Sequence, residues 1–198
     1  MDCLMLSESF ERVNMPLNDI INIEGYTVVS NPYQRVGKGG RPALVLNSEK
    51  YHVRNLTQTT IEVPWGVEAT WAVLTPKSIS SDSIVKKIIV CSFYSKPESR
   101  TKSLLLDHIS QAFHILSSKY GEGTHFILGG DANDLKIDTI LQLSPAMHQL
   151  VVTTTRMSPP TILDPVITTL GQFYQTPVCL PPLSPDQDSG CKPSDHKQ

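Results

Sequence analysis

The sequence predicts an α/β domain, and three observations carry that prediction. The first half holds a series of short β-branched and aromatic runs separated by Pro, Gly, Ser or Asp. From Lys102 to Lys119 the spacing changes to that of a helix, and Thr124 to Leu128 then reads as a buried strand that ends in the polar cluster Gly129-Gly130-Asp131-Ala132-Asn133-Asp134. At 198 residues one core is the default. Apolar residues at 39% and charged ones at 18%, without a run of about 18 uncharged apolar residues, argue against a disordered chain and a membrane-spanning one, so a soluble globular domain is expected.

Taken in order, residues 2 to 6 form an apolar run that ends at Ser7-Glu8-Ser9, the pattern of a buried strand delivering a carboxylate. Gly25 to Val29 is a second extended stretch. The loop Gly37-Lys38-Gly39-Gly40-Arg41-Pro42 fails the G-x-x-x-x-G-K-[ST] pattern and no helix pattern follows it, so it reads as a turn into the strand Ala43 to Leu46. Tyr51 to Val53, Thr60 to Val63, Val67 to Leu74 and Lys87 to Tyr94 continue the strand series. In the helical segment Leu105, Ile109, Ala112 and Leu116 share one face, with Thr101 placed as N-cap and Gly121 as C-cap. His108 and His114 lie six apart on it and so on different faces, as partly exposed histidines and not a metal pair. Leu135 to Leu143 reads as a short helix. Thr161 to Ile167 reads as a strand with Asp164 inside it, a placement that is costly unless something pairs the acid. The last twenty residues, with Pro181, Pro182, Pro185 and Pro193, have the composition of a loose tail.

Seventeen basic against nineteen acidic side chains leave a formal charge of -2, so any nucleic-acid contact must be local and not the work of a general basic surplus. The cysteines at 3, 91, 179 and 191 share no metal-ligand spacing, and the N-terminus lacks the pattern of a secretory signal. An intracellular, reduced protein is expected, and the glycosylation-type triplet Asn55-Leu56-Thr57 reads as a chance match.

Acids at 8, 131, 164 and 195, with Tyr94, Asn133 and His196, are each flanked by strand-like sequence. Attack on a phosphodiester needs an acidic ligand for a divalent cation, a base to activate water and donors for the developing charge. Those residue types are present, although spacing alone does not bring them together.

Leu-Ser-Glu-Ser-Phe, Cys-Ser-Phe-Tyr-Ser-Lys-Pro, Leu-Gly-Gly-Asp-Ala-Asn, Thr-Arg followed by Ile-Leu-Asp, and Ser-Asp-His occur in this order from residue 6 to residue 196. In that order they resemble the endonuclease/exonuclease/phosphatase superfamily, and more narrowly the endonuclease domain of non-LTR retrotransposons. The resemblance implies a DNase I-like α/β fold, a two-sheet sandwich flanked by helices in four layers, α/β/β/α, with the site at one end. It implies Mg²⁺ as cofactor, with Mn²⁺ as a substitute, DNA as substrate, a reverse transcriptase domain as partner in the parent polyprotein, and access to the nucleus.

By the same resemblance Glu8 holds the metal, Asp131 orients and deprotonates the attacking water, and Asn133 holds the nucleophile or a phosphate oxygen. Tyr94 and His196 contact the phosphate, Asp164 accepts a hydrogen bond from the His196 ring, Asp195 stands near metal and water, and Arg156 contacts the nucleic-acid backbone. Plainer readings stand beside these: a solvent-exposed acid for Glu8, a helix N-cap for Asp131 or Asn133, a strand-end aromatic for Tyr94, and a structural ion pair for Arg156.

The chain departs from the family pattern in three places. Ser95-Lys96-Pro97 follows Tyr94 where Pro-Asn or Arg-Pro-Pro is common, the chain starts one strand later than its relatives, and it stops two residues after His196. Residues 1 to 198 are therefore expected to be a single domain that lacks the first and last family strands. The expected activity is Mg²⁺-dependent hydrolysis of DNA, weak or lost in this form. The alternatives are an inactive retroelement remnant, a nucleic-acid-binding module, and a phosphatase or lipid phosphodiesterase of the same superfamily.

Overall fold

The computed structural model describes residues 1–9, 15–31, 41–157, 160–175 and 177–178. Three strands form one sheet in the order β1, β3, β2, where β1 is Cys3–Leu6, β2 is Tyr26–Ser30 and β3 is Ala43–Asn47. Both pairings are antiparallel, and β3, the central strand, is buried along its whole length. A one-turn helix, α1 (Leu17–Ile20), contacts β2.

The larger sheet has six strands. Strands β4 (Tyr51–Asn55), β5 (Glu68–Pro76) and β6 (Lys87–Tyr94) are antiparallel neighbours, and β7 (Thr124–Asp131) lies parallel to β6. A parallel pair needs a crossover, and helix α2 (Ser99–Tyr120) supplies it. A short helix, α3 (Asp138–Leu141), and the two-residue strand β8 (His148–Gln149) follow. Strands β9 (Arg156–Met157) and β10 (Pro160–Thr161) pair with each other, and β11 (Val166–Thr168) inserts antiparallel between β7 and β8.

Alternation along β5 and β6 builds two cores from one sheet. Val67, Ala69, Trp71, Val73, Ile89, Cys91 and Phe93 pack with Leu105, Ile109, Ala112 and Leu116 of α2. The opposite set, Ala72, Leu74 and Val90, packs with Val29, Leu44 and Leu46 of the smaller sheet, with Met5 against it. The four helix positions expected to face the core are 2% exposed or less.

Several expectations need correction. Helix α2 begins at Ser99 with Glu98 as N-cap residue, and Thr101 donates its hydroxyl to the Glu98 carbonyl from inside the first turn at 2.8 Å. Gly121 does cap the C-terminus, with φ 68°. His108 is 4% exposed, because Trp71 reaches it from β5 and donates Nε1–H to its Nε2 at 2.9 Å, whereas His114 is exposed. Thr60 to Val63 is not a strand: Gln58 to Thr60 form a turn and Ile61 makes an isolated bridge to Thr57, since Thr59, Thr60 and Ile61 close back on the Leu56 carbonyl. The helix expected over 135–143 shrinks to α3. The run from Thr161 to Ile167 breaks into β10 and β11 at Asp164-Pro165, where proline has no N–H for a ladder. No helix among the described residues is long and apolar enough to cross a membrane.

Candidate active site

Register places three side chains in one row. Glu68 pairs with Tyr94, and Tyr94 pairs with Asp131, across β5, β6 and β7. At about 4.8 Å per strand the row spans roughly 10 Å. All three share the alternation of Val90 and Ala72, so they lie on the face turned toward the smaller sheet. Asp131 is 5% exposed and Glu68 6%.

Asp164 extends the row. Val166 pairs with Gly129, so the antiparallel count sets Asp164 opposite Asp131, just beyond the ladder. The Ala132 N–H donates to the Leu163 carbonyl at 2.6 Å, which ties that loop to the end of β7. Thr155, itself buried, accepts the N–H groups of Leu163 and Asp164 at 2.8 and 3.2 Å. Asp164 thus stands in a bend at the sheet end and not within a strand, and its side chain is half-buried.

Glu8 arrives from the other sheet. Strand β1 packs across β6 and β7, with the Ser92 hydroxyl donating to the Leu6 carbonyl at 3.1 Å. The serines on either side of Glu8 then hold it in place. Ser7 Oγ accepts the Asp131 N–H at 3.0 Å, and Ser9 Oγ donates to the Arg41 carbonyl at 2.6 Å. Glu8 is exposed, its φ is 54°, and its carboxylate lies beside the Tyr94 hydroxyl. Burial first, then the charges of Glu8, Asp131 and Glu68, raises the Tyr94 hydroxyl above its ordinary value, so it stays protonated at neutral pH.

Asn133 closes the other side. Its N–H donates to Asp131 Oδ1 at 3.0 Å and its side-chain amide to the Ser95 carbonyl at 2.8 Å, while the Ser95 N–H donates to the Asp131 carbonyl at 2.8 Å. Asn133 has φ 49°, and its side chain spans two strand ends instead of capping a helix. Glu8, Arg41 and Asn133 are three of the four non-glycine residues with positive φ among those described, and all three touch this end of the sandwich. Each such conformation costs of order 1 kcal/mol and persists where surrounding contacts hold it.

Glu8, Tyr94, Asp131, Asn133 and Asp164 are thus brought to one end of the molecule. Arg156 opens β9 next to Thr155, in register with Thr161. Asp195 and His196, with the pairing of His196 to Asp164, lie outside the described residues. Sequence reasoning missed Glu68, whose Oε1 takes the Lys96 ammonium at 2.7 Å and whose Oε2 takes the Arg41 N–H at 2.8 Å. The available signal was an acid at the head of an otherwise apolar strand. Among the described residues no three His, Cys, Asp or Glu side chains form a group that could cage a metal.

No protein-family model and no curated protein matches the sequence. Solved structures do match. Truncated TDP2 from Caenorhabditis elegans superposes with a TM-score of 0.62 at 14% identity, over 99% of this chain and 82% of that one. The human Nocturnin catalytic domain with bound sulfate gives 0.57 at 17%, over 98% and 77%. TDP2 from D. rerio, complexed with a single-strand DNA product, gives 0.56 at 11%, over 99% and 83%. These neighbours share the DNase I-like fold of the endonuclease/exonuclease/phosphatase superfamily, and two sheets face to face with flanking helices give this chain the same fold.

Proposed function

We propose that this protein is a Mg²⁺-dependent phosphodiesterase that hydrolyses DNA by in-line attack of water. One observation carries the reading: Glu8, Tyr94 and the pair Asp131 and Asn133, drawn from three separate segments of the chain, meet at one sheet end, with the backbones of Glu8 and Asn133 held at positive φ. A neighbour of the same fold is known with a single-strand DNA product, which favours a nucleic-acid substrate.

The donor chemistry suits the cation. Mg²⁺ takes hard oxygen ligands, commonly one or two carboxylates with water and substrate phosphate filling the rest, so it needs no cage of three side chains. Glu8, exposed beside the buried Asp131, is the carboxylate that would hold it. When bound, Mg²⁺ supplies positive charge against a phosphate oxygen and acidifies coordinated water.

The chain's own residues do the rest. Asp131, held by Ser7 and Asn133, is the residue that would orient water and accept its proton. Asn133 sets the geometry of that carboxylate through its own N–H. Tyr94, protonated at neutral pH, offers an O–H to a phosphate oxygen, and Asp164 stands at the same sheet end. A phosphate contact for His196, outside the described residues, rests on the motif order alone. The finer reading, a retrotransposon-type endonuclease that nicks nuclear target DNA ahead of a reverse transcriptase, rests on the order of the sequence motifs.

The test is nicking of supercoiled plasmid with Mg²⁺ and with EDTA, alongside Asp131→Ala and Glu8→Ala. Nicking that needs Mg²⁺ and falls by roughly 10²- to 10⁴-fold in Asp131→Ala supports the reading. A folded wild-type protein with no Mg²⁺-dependent nicking overturns it.

A further inference from the structure

We propose that Lys96 contacts a backbone phosphate of the nucleic acid and that Glu68 is the positioning residue that holds it ready; this rests on the reading of the site as a DNA phosphodiesterase. Among the described residues, the charges that act on the Tyr94 hydroxyl are those of Glu8, Asp131 and Glu68. A phosphodiester anion entering that row needs a cation besides any metal. Lys96 lies two residues past Tyr94, with its ammonium 2.7 Å from Glu68 Oε1.

The exposures of the pair differ in a way that matters. The Glu68 side chain is 7% exposed, whereas that of Lys96 is 29% exposed. Both Glu68 oxygens are engaged, one with Lys96 and one with the Arg41 N–H. An ammonium has three donors, and one is enough for Glu68. A pair kept only for stability gains little over an apolar replacement. Glu68 sits instead in register with Tyr94 and holds the partly exposed Lys96 ammonium close to the acidic row. Lys102 on α2 shows the reverse pattern, with the lysine side chain 17% exposed and its partner Asp134 exposed.

Binding and turnover separate cleanly here. Anisotropy of a fluorescein-labelled single-stranded 20-mer, and of a hairpin duplex, is followed in EDTA across a KCl series for wild type, Lys96→Met, Lys96→Arg and Glu68→Gln. A phosphate contact makes Lys96→Met bind roughly tenfold more weakly and flattens the slope of log K against log salt by about 0.7 to 0.9. Lys96→Arg keeps the wild-type slope, and Glu68→Gln loses affinity while its melting curve stays cooperative. If Lys96→Met lowers the melting temperature but leaves the slope unchanged, the ion pair is structural and the proposal falls. If Lys96→Met does not fold, the double variant Glu68→Gln/Lys96→Met removes the unpaired acid, and a wild-type slope in it overturns the proposal equally. Wild-type protein that nicks plasmid while Lys96→Met keeps the full slope overturns the lysine's role alone. Wild-type protein that neither binds nor nicks DNA removes the underlying reading as well.

Discussion

The Ser7 hydroxyl oxygen accepts the Asp131 backbone N–H at 3.0 Å, which joins residues 124 positions apart in sequence and fixes the acid next to Ser7 against the acid at the end of β7. Serine is required there in a specific sense, since a small side chain with an acceptor satisfies a donor at a buried residue. Ser7→Ala leaves that N–H unpaired, a loss of about 1–3 kcal/mol. It also frees the Glu8 segment on one side. The expected result is a lower melting temperature together with a fall in nicking larger than stability alone explains, measured at a temperature where the variant is fully folded. Unchanged turnover in folded Ser7→Ala would show that Glu8 is placed by other contacts.

Gly129 and Gly130 answer differently to a methyl group. A Cβ on Gly130 would sit 1.8 Å from the Phe93 carbonyl oxygen, and the φ of 149° adds strain, so Gly130→Ala is expected not to fold. A Cβ on Gly129 would meet the Met5 sulfur at 2.6 Å, the end of a flexible side chain that can shift. Gly129→Ala should therefore fold but push β1, and with it Glu8, away from Asp131. Denaturant melts and nicking rates on Gly129→Ala and on Gly129→Ala/Met5→Ala check this, with partial recovery of rate expected in the double variant.

Asn133 holds the strand ends together from a left-handed backbone that asparagine tolerates better than most residues. Asn133→Ala loses the bond to the Ser95 carbonyl and keeps the strain, so a destabilisation of about 1–2 kcal/mol is expected. Urea titration gives the stability change. Nicking should fall in the folded variant because the Asp131 carboxylate loses the rigidity of its neighbour.

His108 makes the fold sensitive to acid. Burial lowers its pKa from 6.5 to about 4, and its Nε2 accepts from Trp71 as the neutral ring. Between those values the unfolded chain binds more protons, so the stability is fully present above pH 6.5 and is lost as pH falls toward 4, with no further loss below that from this group. The size is about 3 kcal/mol. Stability in urea at pH 7.5 and pH 4.5 measures it. His108→Gln, which keeps an acceptor for Trp71, should shrink the difference; an equal pH dependence in the variant would assign the effect elsewhere.

Local pattern carried most of the fold, because hydrophobic period and turn residues act within a few positions. The face of α2 through Leu105, Ile109, Ala112 and Leu116 and the exact span of β6 follow from that alone. The limits of local pattern show at His108, which has ordinary helical neighbours in sequence and is buried only because Trp71 comes from β5 to pair with it. Asp164 is similar: an apolar run reads as a strand, and the break comes from proline and from Thr155, nine residues back, taking two backbone donors.

For the site, the sequence by itself determined which residue types are available, that Glu8 follows β1 and that Tyr94 ends β6, whereas it ended the next strand at Leu128 and the structure carries β7 on to Asp131. Only the tertiary structure decided that these ends coincide. Strand register is a relation between segments far apart in the chain, set by packing of the two cores, and it alone puts Glu68, Tyr94 and Asp131 in one row. Lys96 became visible for the same physical reason, since the acid that holds it lies 28 residues earlier on the neighbouring strand and nothing in the local sequence of either residue points to the other.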